Sequence, residues 1–241
     1  GVRTNGVSLP EDVPTLPGLL ADAGYRTHSV GKLHLKTWGG FGADSAQAET
    51  PEENPERLIH WLNGDIKKSP DDYYGFQTQD SVLGHVSYSS GDYKTWLDEN
   101  HPGAYEQYEN TDPGDLEIDP ELHYNTWIAD RSIDFLKDNA DGDQPFFLWC
   151  SFPDPHSPFA AVKKWLDAYD ENDLKVSDIS LENAALGLSE TMAAMGCGVE
   201  GKGEDYLRKC LLQTYAMISH VDEQVGRVLD SLNALGLVEN T

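Results

Sequence analysis

Positive charge is scarce in this sequence: 17 lysines and arginines stand against 42 aspartates and glutamates, for a net charge of −25 over 241 residues. A nucleic-acid backbone is held by releasing its counterions to lysine and arginine, so nucleic acid is excluded as a partner. Cysteine is rarer still. Cys150, Cys197 and Cys210 form no paired-cysteine motif and give an odd count, leaving neither a metal knuckle nor a disulfide framework to read. Cys150 lies in an apolar run and reads as a buried, inert thiol. No apolar run approaches the length that crosses a bilayer, and Gly1-Val2-Arg3-Thr4-Asn5-Gly6 has no charged-then-apolar leader pattern, so no membrane partner is expected. The missing initiator methionine points to a processed or cloned boundary. No internal repeat is found.

What is present is ordinary globular material, 39% hydrophobic and long enough for a real core. The few basic residues are unevenly spread. Residues 1–38 hold Arg3, Arg26, Lys32 and Lys36 against Glu11, Asp12 and Asp22, whereas the remainder carries 13 basic against 39 acidic groups. Only the first stretch is hospitable to an anion.

Two helix-to-strand units stand out. In the first, Thr15 is a candidate N-cap, Pro17 suits a first turn, Leu16, Leu19, Leu20 and Ala23 make an apolar stripe, and Gly24 closes the helix. Tyr25 to Val30 then reads as a strand that Gly31 breaks, which puts Lys32 and His34 just past a strand end. In the second, Ile128, Ser132, Phe135 and Leu136 keep a helical face, and Pro145 to Ser151 is a nearly unbroken apolar run, the pattern of a strand covered on both faces. Its following loop carries Asp154, read as a loop cap, and His156. Ligands in such α/β units sit beyond the carboxyl ends of strands. From Leu207 through Leu211, Thr214, Ile218, Val221, Val225, Val228 and Leu232 to Leu235, the steps of three and four predict a long helix docked on a core, with Gly236 as its stop. Leu237 and Val238 point toward a further strand. Residues 39–121 show little periodicity and read as an irregular, insertion-like excursion with short elements.

At Gly31-Lys32-Leu33-His34-Leu35, after the helix end Asp22-Ala23-Gly24-Tyr25, the chain resembles the sulfatases of the alkaline phosphatase superfamily. Pro145-Phe146-Phe147-Leu148 through Pro155-His156-Ser157-Pro158-Phe159 resembles that family's second histidine loop, and Tyr215 to Leu229 resembles its long late helix. The resemblance implies an α/β, alkaline-phosphatase-like sandwich with a largely parallel central sheet flanked by helices, incomplete at both ends. One partial catalytic domain over residues 1–241 is expected. It departs from the family in lacking the Cys-x-Pro-Ser/Ala-Arg motif whose cysteine becomes formylglycine, and in lacking the Asp motifs that hold Ca²⁺. Nucleophile and metal ligands are therefore expected outside this chain, and the isolated chain is expected to be inactive.

A sulfate ester needs its equatorial oxygens neutralised, a nucleophile in line, and a proton for the leaving alcohol. Lys32 and His34 would face one side of an extended segment, roughly 7 Å apart at their α-carbons, within reach of one small anion. By resemblance, Lys32 neutralises the sulfate and the formylglycine oxygen, His34 hydrogen-bonds the formylglycine hydrate, and His156 contacts the bridging oxygen as general acid. The flanking Pro155 and Pro158 stiffen its loop. His220, with Asp222 and Glu223, lacks metal-ligand spacing and reads as structural. His28, His60, His85, His101 and His123 have no motif context, and Trp61, Trp96, Trp127 and Trp165 read as core. The implied activity is hydrolysis of a small-molecule or glycan sulfate ester. Hydrolysis of phosphonate monoesters or phosphodiesters is the rival within the superfamily, and a noncatalytic remnant or anion-binding scaffold the rival outside it. A periplasmic or secreted location is implied by resemblance alone.

Overall fold

The computed structural model describes residues 7–37, 49–108, 113–176 and 203–241. Cys197, residues 1–6 and parts of 39–121 lie outside them. The first helix, α1 (Leu16–Asp22), starts where Thr15 Oγ1 accepts from Gly18 N–H at 3.2 Å and stops before Gly24, whose φ of +91° suits glycine. Its apolar stripe is not fully buried: Leu16 and Leu19 are 61% and 60% exposed, and Leu20 is half-buried.

Strand β1 (Arg26–Gly31) is central. It pairs in parallel with β2 (Thr78–Ser81) on one side and with β4 (Phe146–Ser151) on the other, in the order β2-β1-β4. The register sets Gly31 level with both Ser81 and Ser151, so three strands end together and three loops leave from one edge. Gly31 is required at that point. Its φ is +94°, and a Cβ there would lie 1.9 Å from the Ser151 carbonyl oxygen, which accepts from Lys32 N–H at 2.9 Å.

The connections carry α2 (Leu58–Leu62) between β1 and β2, then α3 (Asp92–Asn100), β3 (Gly114–Leu116) and α4 (Tyr124–Asn139) before β4. A second parallel pair joins β3 to β5 (Ala160–Val162), followed by α5 (Lys163–Leu166) and α6 (Glu204–Ala234). This is the expected α/β class, with parallel sheets flanked by helices. The described part of residues 39–121 is woven into the core: it supplies β2 and β3, and Tyr93, Leu97, Tyr108, Leu116 and Ile118 all belong to the main buried cluster.

Three local expectations need correction. Strand β4 is not covered on both faces; it is an edge among the described residues, and Trp149 is 46% exposed. The apolar stripe of α6 is not its docking face. The buried line runs through Gln213, Ala216, Met217, His220 and Gln224, while Ile218 and Val225 are exposed. The helix docks through polar groups because they have partners: Gln213 accepts from Ala161 N–H at 2.7 Å and donates to Asp115 at 2.9 Å, and Arg227 reaches Asp130 at 2.6 Å. Past Gly236, residues Val238–Asn240 form a single 3-10 turn.

Candidate active site

The three loops that leave the aligned strand ends carry the candidate side chains, and each loop is fixed by one buried carboxylate. After β1, the backbone N–H groups of Leu35 and Lys36 donate to Glu56, at 2.9 and 3.1 Å to its two oxygens and at 3.2 Å respectively, and Tyr73 O–H donates to the same group at 2.8 Å. At the end of β2, Asp92 accepts from Ser69 N–H at 2.8 Å and Ser81 N–H at 2.7 Å. After β4, Asp154 accepts from Asn125 Nδ2 at 2.7 Å and from the Tyr124 hydroxyl, which ties the loop to the first turn of α4. Asp154 is thus an anchor to a neighbouring helix rather than a cap of its own loop. Burial raises the pKa of all three carboxyls, that of Asp154 to about 7.

On this frame Lys32 is half-buried and its Nζ meets the ring of His85, 3.2 Å from Nδ1 and 3.4 Å from Nε2. With both ring nitrogens within 3.4 Å, the ammonium lies against the ring of His85 rather than along the lone pair of one nitrogen, and it meets a ring that burial keeps uncharged. His156, exposed, stacks on the same ring: the His85 and His156 ring centroids are 3.9 Å apart with planes 17° from parallel. The Ser157 carbonyl lies 2.5 Å from His156 Nδ1 and can only accept. Nδ1 therefore donates to that carbonyl, and Nε2 is the ring nitrogen not engaged by it. Lys32 and His156 are brought together, through a third side chain. His34 is exposed at the rim, near enough for its charge to act on both His85 and Glu56.

The electrostatics follow from burial. Desolvation holds the Lys32 ammonium below its usual range, opposed by the nearby Glu56 carboxylate. His85 is held down to about 3 by burial first and then by Lys32, His156 and His34. The site thus offers one partly buried cation, one neutral imidazole and two solvent-facing imidazoles: donors for a small tetrahedral anion and a group able to give up a proton.

Among the described residues no group of three or more His, Cys, Asp or Glu is placed to hold a metal ion. These residues therefore do not fit the oxygen-rich cage that calcium takes. His220 is structural: its ring stacks on Trp165 at 3.5 Å between centroids, meets Thr126 Oγ1 at 3.2 Å and lies 4.7 Å from the His123 ring. Trp61, Trp127 and Trp165 are buried in the core. Cys150 is half-buried, with Ser132 Oγ donating to its sulfur at 3.2 Å, and burial raises its pKa. No helix among the described residues is long and apolar enough to cross a membrane.

The model of the family described as Sulfatase matches residues 1–241. The chain belongs to the sulfatase family. An arylsulfatase of Clostridium perfringens is 25% identical over 246 aligned residues, covering 94% of this chain and 44% of its own length. The Escherichia coli protein named uncharacterized sulfatase YidJ is 27% identical, covering 96% of this chain and 40% of its own length. The chain spans under half the length of these curated relatives. A solved phosphonate monoester hydrolase from Silicibacter pomeroyi superposes with a TM-score of 0.64 at 16% identity, over 97% of this chain and 46% of that one. That likeness shows the fold, the alkaline-phosphatase-like architecture of sulfatases and phosphonate hydrolases.

Two site residues escaped the sequence. His85 has no local motif and reaches the site because β2 pairs with β1. Glu56 sits in Pro51-Glu52-Glu53-Asn54-Pro55-Glu56-Arg57, a run that reads as solvated charge, and it is 4% exposed.

Proposed function

We propose that this chain forms the anion-holding and proton-donating side of a sulfuric ester hydrolase site, acting on the sulfate ester of a small molecule or glycan. The observation that carries the proposal is the meeting of Lys32 and His156 on His85 at the aligned ends of three parallel strands. In this reading Lys32 Nζ binds an equatorial sulfate oxygen, where partial burial strengthens the attraction. His156, with Nδ1 committed to Ser157, presents Nε2 to the bridging oxygen and gives the departing alcohol its proton. His34, at the rim, supplies a further donor toward the attacking group.

Formylglycine and calcium, implied by the resemblance, belong outside these residues, and a periplasmic or secreted location is part of the same proposal. The family and its arylsulfatase relatives support sulfate as the substrate class. The fold likeness to a phosphonate monoester hydrolase supports the second reading, since sulfate esters and phosphonate monoesters are both tetrahedral monoanions that this donor set accommodates. The test is a parallel assay of the intact protein on an aryl sulfate and an aryl phosphonate monoester. Higher kcat/KM for the sulfate is expected, and phosphonate turnover far above sulfate turnover would overturn the choice.

A further inference from the structure

We propose that His85 is a positioning residue of this site: a neutral imidazole whose ring receives the Lys32 ammonium and stacks against the His156 ring. The inference rests on the functional reading above and goes beyond it, because no motif marks His85.

The loop that carries His85 is built to hold it still. It closes where Leu83 N–H donates to Ser90 O at 3.1 Å and Ser90 N–H to Leu83 O at 2.7 Å. Within it, Tyr88 N–H returns to His85 O at 2.9 Å, and the Tyr105 hydroxyl lies 2.9 Å from Ser87 O and 2.7 Å from Ser89 O. Gly84, at φ +72°, allows a close approach that a side chain would forbid, since a Cβ there would meet Tyr88 O at 2.2 Å. The next residue after His85 is Val86, fully buried at φ +48°, a left-handed conformation that a β-branched residue adopts only when its surroundings impose it. Backbone strain kept beside one side chain marks a place where side-chain direction is tightly set.

The chemistry of the three rings and the ammonium explains why that side chain is histidine. The ring offers Lys32 two polar nitrogens within 3.4 Å, which a phenylalanine lacks, and a flat ring stacks on His156, which a glutamine cannot do. The groups that face His85 are Lys32, His156 and His34, all cationic or able to become so; burial first, and then these neighbours, lower its pKa to about 3 and keep it uncharged. It therefore separates the Lys32 charge from His156 without adding a charge of its own, and leaves Nε2 of His156 for the leaving group.

The test uses the intact protein and separates the two contacts. In His85→Phe the stack persists and both ring nitrogens are lost, so KM for an aryl sulfate should rise about ten-fold with kcat within about three-fold of wild type. In His85→Gln an acceptor persists and the stack is lost, so kcat should fall about ten-fold and the pH dependence of kcat should change. Equal losses in kcat and KM for both variants, or kcat and KM of both within two-fold of wild type, would overturn the proposal. A titration of the histidine ring signals by NMR decides independently of turnover: His85 is expected to stay uncharged from pH 8 to pH 5. Protonation within that range would refute the proposal, because a cationic ring would repel the Lys32 ammonium that lies against it. An intact protein that hydrolyses neither ester would defeat the functional reading and leave the NMR result to judge His85.

Discussion

Replacing Glu56 by alanine should loosen the loop that carries Lys32 and His34, and the size of the effect follows from what the carboxylate now satisfies. Its oxygens receive Leu35 N–H, Lys36 N–H and the Tyr73 hydroxyl at 2.8–3.2 Å, in a position only 4% exposed. A buried donor left without a partner costs about 1–3 kcal/mol, so three of them set a gross loss of roughly 3–9 kcal/mol. Two effects reduce it. Removing the carboxylate also removes a charge whose burial is unfavourable, as its raised pKa indicates, and the space left by the side chain can admit water to part of the cluster. A net destabilisation of about 3 kcal/mol is expected, at the low end for breaking a buried charge-assisted network. Glu56→Gln keeps the shape and one good acceptor, and should cost about 1 kcal/mol. Urea unfolding followed by tryptophan fluorescence measures both, and amide exchange at Leu35 and Lys36 locates the loosening. Stability of Glu56→Ala within about 0.5 kcal/mol of wild type, with exchange at Leu35 unchanged, would refute the reasoning.

His220 is held neutral, with a pKa near 3, chiefly by burial and then by Lys164, whereas an unfolded histidine titrates near 6.5; the folded state therefore binds fewer protons between these limits, and its stability falls as pH is lowered through them. His220→Phe should retain the stack on Trp165 and lose that dependence, so its stability relative to wild type should rise by up to about 1.4 kcal/mol per pH unit below pH 6, read from melting curves at pH 7 and 4.5. Gly31→Ala should cost about 3 kcal/mol or more, because a Cβ would strike the Ser151 carbonyl, whereas Gly24→Ala at a similar φ but in open space should cost only about 1 kcal/mol; equal melting temperatures for the two would contradict this.

The elements legible in the sequence are those written locally. Thr15, Pro17 and Gly24 mark the ends of α1, and the β-branched and aromatic run before Gly31 gives β1. The long stepped pattern gives the span of α6, but not its docking face, because that face is chosen by cross-chain partners for Gln213 and His220 that no periodicity records. Strand β2 was invisible for a related reason. Thr78-Gln79-Asp80-Ser81 has no apolar alternation and is a strand only because β1 pairs with it. With β2 went His85, although Lys32 and His156 were readable from their motifs. Glu56 was hidden by its charged neighbours, since burial of a carboxylate depends on backbone donors twenty residues away.

The central claim is that His156 gives the leaving alcohol its proton, and the most direct measurement is the dependence of kcat on leaving-group pKa over a series of aryl sulfates. It compares the intact protein with its His156→Ala variant. A shallow dependence is expected for wild type and a steep one for the variant, with rates converging for the best leaving groups and separating by about 100-fold or more for the poorest. Parallel lines, or a variant within about three-fold of wild type across the series, would contradict it.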